Sequence, residues 1–134
     1  MDLKKLDLTP SAEKGSTLTL RHPVTDEDLT DENGTPVTIT VLGSHSREFR
    51  RKVDELTRTQ QTRRRQDSMT IAEAERRASE LLASITKAWE GVEWEGAPLE
   101  CTPENALMIY RELPWVRSQV DEFVGELGNF FKTT

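Results

Sequence analysis

Apolar residues recur at three- and four-residue intervals over the last quarter of the chain, and this spacing predicts two helices. Thr102 is suited to cap the first helix, with Pro103 at its first position. A residue before proline is pushed out of the helical region, so Leu113 should break the helix and Pro114 should open the next one. The apolar positions that follow are Val116, Val120, Phe123, Val124, Leu127, Phe130 and Phe131. Either the rest of the domain or a partner must cover such a face.

The N-terminal third alternates polar with apolar residues in two short runs, residues 16–22 and 36–42, and this period predicts two half-buried strands. Val37, Ile39 and Val41 fall on one face of the second run. The polar, acidic stretch between them contains Asn33 and Gly34, a strong turn signal. Because two strands alone are marginal in water, they need helices on their apolar face or a further strand from another molecule.

The centre of the chain predicts two more helices. The first runs from about residue 46 to the mid-60s, capped by Ser44 or Ser46; residues 57–67 carry no apolar face and are interpreted as a connector, with a solvated helix end as the alternative. The second starts at Thr70, with Glu73 in capping-box position. Its apolar stripe, which Gly91 should end before a loop over residues 91–101, comprises Ile71, Ala74, Ala78, Leu81, Leu82, Ile85, Ala88 and Trp89.

These elements predict an α+β fold in one domain, residues 1–134. A small N-terminal antiparallel β element of two or three strands (residues 1–44) precedes a basic helix and connector (45–69) and a helical part (70–134), with about four α-helices forming a bundle. A chain of 134 residues can bury a real core. It has no apolar run of about 18 residues that could span a membrane and no signal peptide, so we expect a soluble, intracellular protein.

The net charge of −6 is unevenly distributed. Residues 45–69 hold eight basic and four acidic side chains, whereas acidic side chains predominate two to one on either side. A basic block between acidic ends argues against general nucleic-acid binding and fits protein partners, including copies of the same chain. Arg63, Arg64 and Arg65 are interpreted as a solvated linker, with docking to an acidic surface or nucleic-acid binding as alternatives.

No residue pattern predicts bond chemistry. His22 and His45 lack catalytic or metal-binding neighbours, phosphate-binding glycine loops are absent, and Cys101 is interpreted as an ordinary thiol. The acidic residues 26–34 lack the final glutamate of a calcium loop and are interpreted as a solvated turn. We therefore predict no enzyme activity, no catalytic residue, no cofactor and no metal.

Aromatic residues supply the candidates for partner binding: Trp94, Trp115, Phe123, Phe130 and Phe131. Trp94, Trp115 and Phe131 lie in a loop, at a helix start and near the chain end, where full burial is hard to arrange. Phe123 and Phe130 stand at helical spacing, which is also typical of core residues. Core and interface therefore both remain open for these side chains.

Several features occur together in a characteristic order. An N-terminal strand is followed by Pro23 and an acidic turn; residues 41–43 lead to Phe49; Trp89 precedes a Glu/Gly-rich loop; and residues 102–106 lead through Tyr110, Pro114 and Trp115 to a C-terminal Phe. This order and spacing, over residues 1–131, resembles the tail assembly chaperones of long-tailed (siphovirus-type) bacteriophages. The chain departs from the family's pattern at His45, where an acidic or small residue is expected before Ser46.

The resemblance implies a protein that binds the tape measure protein, keeps it soluble and helps recruit tail tube protein. It also implies a longer, frameshifted isoform, a location in the cytoplasm of the infected bacterial host, and absence from the mature virion. Apolar helical faces, from Ile71 to Trp89 and from Trp115 to Phe131, would cover an amphipathic helix of the client. The alternative is a structural minor tail protein or connector retained in the virion, whose copies join by strand addition near residues 37–41.

Overall fold

A three-stranded antiparallel sheet packed against helices forms the centre of the protein; the computed structural model describes residues 1–61 and 69–130. The strands and helices in chain order are α1 (Thr9–Lys14), β1 (Ser16–Thr19), β2 (Thr38–Val41), α2 (Arg47–Gln61), α3 (Ile71–Ile85), β3 (Thr86–Glu90), β4 (Glu93–Trp94), β5 (Ala97–Pro98), α4 (Pro103–Glu112) and α5 (Pro114–Gly125). Short 3-10 helices lie at Leu3–Leu6 and Leu127–Asn129. The predicted α+β class is confirmed.

Strand β2 is the middle strand of the sheet. It pairs with β1 on one side, Ile39 opposite Leu18, and with β3 on the other, Ile39 opposite Trp89. The two predicted N-terminal strands are thus confirmed over Ser16–Thr19 and Thr38–Val41. The expectation that residues 37–41 form an open edge is wrong, because β1 and β3 already pair with the backbone of β2 on both sides.

The third strand comes from a segment that was predicted as helix. Helix α3 ends at Ile85 instead of continuing to Trp89, and the chain passes directly into β3. The Thr86 backbone N–H donates to the Ala83 carbonyl, and its hydroxyl donates to the Leu82 carbonyl at 2.8 Å, which satisfies the last carbonyls of the helix. The prediction that all strands of the sheet lie in the N-terminal third is therefore wrong.

Most predicted helix starts are confirmed by their caps. The hydroxyl of Thr70 accepts from the Glu73 N–H, and that of Thr102 accepts from the Asn105 N–H, each at 3.1 Å. Ser46 caps α2 by accepting from the Phe49 N–H at 3.2 Å. The break at Leu113 lies where it was predicted. Short helix α1 was not predicted. The β4–β5 hairpin, which lies within the predicted loop 91–101, was not predicted either.

The structure describes only residues 57–61 of the predicted connector over residues 57–67. Its first five residues, 57–61, continue helix α2 instead. The rest of the segment, with Arg63, Arg64 and Arg65, lies outside the described residues.

The core lies between one face of the sheet and helices α3, α4 and α5. Its buried members include Leu18, Leu20, Ile39 and Val41 from the strands, Leu82 and Ile85 from α3, Ile109 and Tyr110 from α4, and Val116, Val120 and Val124 from α5. The valine face of α5 and the C-terminal half of α3 are thus covered by the protein's own domain. As folded, these two faces are not free to cover a client helix.

Gly43 lies in close contact with two buried side chains, Ala12 and Phe130. A Cβ at this position would lie 2.9 Å from the Ala12 Cβ and 3.0 Å from the Phe130 Cγ. We expect Gly43→Ala to lower the free energy of unfolding by about 1 to 3 kcal/mol, because the neighbours must shift to admit the methyl group. Gly125→Ala is the matched control, since that position ends α5 with open space around it and alanine favours helix. Urea denaturation of both variants measures the difference; equal stabilities would contradict this packing.

Tyr110 carries the core's central hydrogen bond. Its hydroxyl lies 2.6 Å from the Thr86 Oγ1. Because the Thr86 hydroxyl proton goes to the Leu82 carbonyl, Tyr110 donates and Thr86 accepts. We expect Tyr110→Phe to cost about 1 kcal/mol at neutral pH, measured by urea denaturation, since it leaves the Thr86 acceptor with one partner fewer.

The same side chain predicts a pH dependence. Burial raises the pKa of the Tyr110 phenol well above its ordinary value of 10.0. The folded pKa therefore exceeds the unfolded one, so the phenol's contribution to stability is intact below pH 10 and declines as pH rises above it. Since the chain has a single tyrosine, phenolate absorbance reports Tyr110 alone. We expect phenolate to appear only together with unfolding; a reversible titration near pH 10 in folded protein would contradict this burial.

Candidate partner-binding cleft

An apolar cleft of about 260 Å³ opens where the sheet, the β4–β5 hairpin and the α4–α5 corner meet. Its floor is made of core residues from the sheet and helices, among them Leu20, Ile39 and Ile109. Two of the five predicted partner-binding residues, Trp94 and Trp115, line it together. Other apolar residues of its wall are Leu29, Val37, Trp89, Val92 and Leu113.

Local backbone geometry places each tryptophan. Trp94 pairs with Ala97 across the β4–β5 hairpin. The two turn residues between them, Glu95 and Gly96, both have positive φ, 51° and 83°, as a tight two-residue hairpin requires. Trp115 follows Pro114 at the start of α5, so the break at Leu113 sets the position of its ring. Both tryptophans are only partly buried.

The indole N–H groups divide the three tryptophans into two kinds. Trp89 donates its indole N–H to the Leu99 carbonyl at 2.7 Å and so ties the hairpin segment to the sheet. Within residues 1–61 and 69–130, the indole N–H groups of Trp94 and Trp115 have no hydrogen-bond partner, and no buried side-chain polar atom lacks one. Both N–H groups therefore reach solvent. The cleft thus combines apolar ring faces with two free donors, as aromatic anchors of protein interfaces do.

The other predicted residues do not join this cleft. Phe130 is 6% exposed and meets Phe123 edge to face, with ring centroids 5.6 Å apart. Phe130 is therefore a core residue and not part of an exposed partner surface. Phe123 is partly buried and lines a different groove, beside β1. Phe131 lies outside the described residues.

The α3 stripe likewise divides between core and surface. Ile85 is fully buried, whereas Ile71 at the other end of the helix is 81% exposed. Trp89, predicted at the end of this stripe, lies in strand β3 and lines the cleft. The part of the stripe that meets the cleft is thus not helical.

Leu29 is a cleft residue that sequence reasoning missed. It lies in the polar segment between β1 and β2, where its N–H donates to the Leu20 carbonyl and its carbonyl accepts from the Val37 N–H, both at 2.9 Å. These two bonds hold the backbone of Leu29 beside Leu20 and Val37, two other residues of the cleft lining. A single leucine among the five acidic residues of positions 26–32 was the available signal.

The cleft has an acidic border. Glu93 lines it directly. Glu90 ends β3 just before the cleft residue Gly91, and Glu112 precedes the cleft residue Leu113. All three carboxylates are exposed. An apolar cleft with this border favours a partner whose apolar side chains are flanked by basic ones.

The side chains considered for catalysis or metal binding, among them His22 and Cys101, do not line the cleft. The Nδ1 of His22 accepts from the N–H groups of Val24 and Thr25, at 3.1 and 3.2 Å. Cys101 is partly buried, and burial raises the pKa of its thiol. In the described part of the chain no group of three or more His, Cys, Asp or Glu side chains could hold a metal ion. No helix there is long and apolar enough to cross a membrane.

Comparisons of the chain with protein-family models, with curated proteins and with solved structures found no match.

Proposed function

We propose that this protein is a bacteriophage tail assembly chaperone that binds the tape measure protein in the cleft of Trp94 and Trp115. The observation that carries the proposal is this cleft, where two partly exposed tryptophans with free indole N–H groups face an apolar floor. The resemblance in the order of sequence features supplies the identity of the client. The protein acts as a binding protein in the cytoplasm of the infected bacterial host and makes or breaks no covalent bond.

A short apolar stretch of a client helix is the segment that fits. A volume of about 260 Å³ takes one or two large side chains, so a single cleft gives modest affinity. A long helical client repeats such stretches, and many copies of the chaperone bound along it cover its apolar surface. The net charge of −6 then keeps the complex soluble. Recruitment of tail tube protein, and a longer frameshifted isoform that does so, belong to the same proposal.

Co-expression tests the function directly. We expect the soluble yield of the tape measure protein of the same phage to rise several-fold when this chain is expressed with it, and the two to co-purify. A tape measure protein that aggregates equally with and without this chain would overturn the proposal. Expression of the client with an unrelated acidic protein of similar size is the control for charge alone.

Mass spectrometry of purified virions separates this function from a structural one. We expect the protein to be absent, because a chaperone leaves the tape measure protein before the tail is complete. Presence in many copies per particle would instead identify a minor tail protein or connector. Such a protein would need a contact other than strand addition to β2, since that strand is paired on both sides.

A further inference from the structure

Strand β1 forms one edge of the sheet, and alternate backbone groups on it face away from β2. The Leu20 N–H, just past the end of β1, donates to the Val37 carbonyl at 2.9 Å, toward the β2 side. In an antiparallel pair every second residue faces the partner strand, so Leu18 faces β2 as well. Thr17, Thr19 and Arg21 therefore direct their N–H and C=O groups to the open side.

At Arg21 the open side is already occupied by a side chain that imitates a strand. The Arg21 N–H donates to the Gln119 Oε1 at 2.9 Å, and the Gln119 Nε2 donates to the Arg21 carbonyl at 2.8 Å. A neighbouring strand would make the same pair of bonds through its own peptide groups. This contact shows that the edge is within reach of pairing groups, and it leaves the stretch at Thr17 and Thr19 open.

A groove of about 380 Å³ begins at the Thr19 end of this open stretch and lies between β1 and the C-terminal half of α5. Leu18 and Phe123 give it an apolar floor, and Thr19 lies at the strand edge. A groove between an edge strand and a helix is the geometry in which domains add a partner's extended segment as a further strand.

The charged residues along the groove determine whether a positively or a negatively charged partner fits it. Asp28, Glu122 and Glu126 line it, and within the described residues none of the three has an ion-pair partner. Arg21, the cation among the described residues of the lining, already pairs with Asp26 at 3.6 Å. The groove therefore complements positive charge.

We infer that this groove is a second binding site, which takes an extended, cationic segment of a partner protein as an added strand on β1. Main-chain bonds to Thr17 and Thr19 hold the segment, and lysine or arginine side chains at alternate positions meet the carboxylates of Glu122 and Glu126. The site is distinct from the tryptophan cleft and does not depend on the tail assembly function.

A synthetic peptide tests the inference. The probe is a fluorescein-labelled octapeptide that alternates lysine with threonine, and binding to the whole protein is followed by fluorescence anisotropy at low ionic strength. We expect saturable binding that weakens with salt, and no binding of the matching peptide with glutamate in place of lysine. Absence of saturable binding to the wild-type protein at millimolar concentration would overturn the inference.

Two variants separate strand addition from simple charge attraction. Thr19→Pro removes an N–H that the β1–β2 ladder does not use, so the sheet should persist while the peptide's affinity falls at least tenfold. Glu122→Gln with Glu126→Gln should lower affinity by a similar factor. The charge-matched control is Asp54→Asn with Asp121→Asn, two exposed acids outside both the groove and the cleft, which should change affinity less than twofold.

A change in the peptide instead of the protein gives a further test, in which only the wild-type protein is needed. Methylation of its alternate backbone nitrogens removes the donors that a strand requires but leaves every lysine in place. We expect the methylated peptide to lose at least tenfold in affinity. Equal binding of the methylated and parent peptides, or of the parent peptide to wild type and to folded Thr19→Pro, would overturn the proposal and leave non-specific attraction to an acidic surface.

Discussion

Replacing Trp94 and Trp115 together by alanine should return the soluble yield of co-expressed tape measure protein to its value without the chaperone. Large aromatic anchors in a desolvated pocket each contribute about 2 kcal/mol or more to binding, and the loss of even one weakens Kd about thirtyfold. Because the two rings line one cleft, the double variant removes both walls that a client side chain would contact. Soluble yield and co-purification measure the effect.

Three controls make this result specific. Val24→Ala shortens an apolar side chain that is 86% exposed and lies outside the cleft lining, and it should leave the soluble yield unchanged. Trp115→Phe keeps a ring but loses the free N–H, so an intermediate yield is expected. Glu122→Gln with Glu126→Gln changes the second groove only and should also leave the yield unchanged if the client binds in the cleft.

Folding of the double variant must be checked separately. Both tryptophans are only partly buried and neither indole donates a hydrogen bond within the described residues, so far-UV circular dichroism should remain that of the wild type. Trp94→Ala alone changes a residue of the two-residue strand β4 and leaves helix α5 unaltered, so it is the milder variant. A folded double variant that still solubilises the client would remove the cleft from the proposed mechanism.

Helix starts and the break between α4 and α5 could be predicted because their causes are local. Thr70 and Thr102 each bond a backbone N–H three residues away, and a proline restricts the residue directly before it. At Leu113 the cause of the break is a steric clash with the ring of the adjacent Pro114. Such signals depend on a few adjacent residues and can therefore be recognised without knowledge of the fold.

The third strand could not be predicted because its cause is distant. Residues 85–89 fit an apolar stripe at helical spacing as well as a strand, and the sequence alone does not separate the two. What selects the strand is the free side of β2, more than forty residues earlier, together with the Tyr110 hydroxyl that bonds Thr86. The Thr86 hydroxyl in turn bonds the last turn of α3.

The residues of the candidate site also differ in whether local sequence or a distant contact determines their position. Trp94 and Trp115 were recognisable because a loop and a helix start rarely allow complete burial, and both prove partly exposed. The helical spacing of Phe130 was compatible with both core and interface, and the close approach of its ring to Gly43 places it in the core. That contact joins residues almost ninety positions apart, and no periodicity within the last helix indicates it.

Ile85→Ala should lower the free energy of unfolding by about 2 to 5 kcal/mol, the second large effect expected for this protein. Its side chain is fully buried at the junction where α3 becomes β3, and truncation leaves a cavity that the surrounding strands and helices cannot close without moving. Urea denaturation with a constant m-value would measure the loss as a change of midpoint.

Ile71→Ala is the control that the same helix provides. Ile71 shares the predicted stripe with Ile85 but is 81% exposed, so the substitution should change stability by less than about 0.5 kcal/mol. The two isoleucines also separate the two roles that one apolar stripe can have. If Ile71→Ala leaves both stability and client solubility unchanged, α3 serves the core alone and the client is held by the tryptophan cleft. If it lowers client solubility without loss of stability, the N-terminal end of α3 extends the client surface beyond the cleft, and equal destabilisation by both variants would contradict the burial described for this helix.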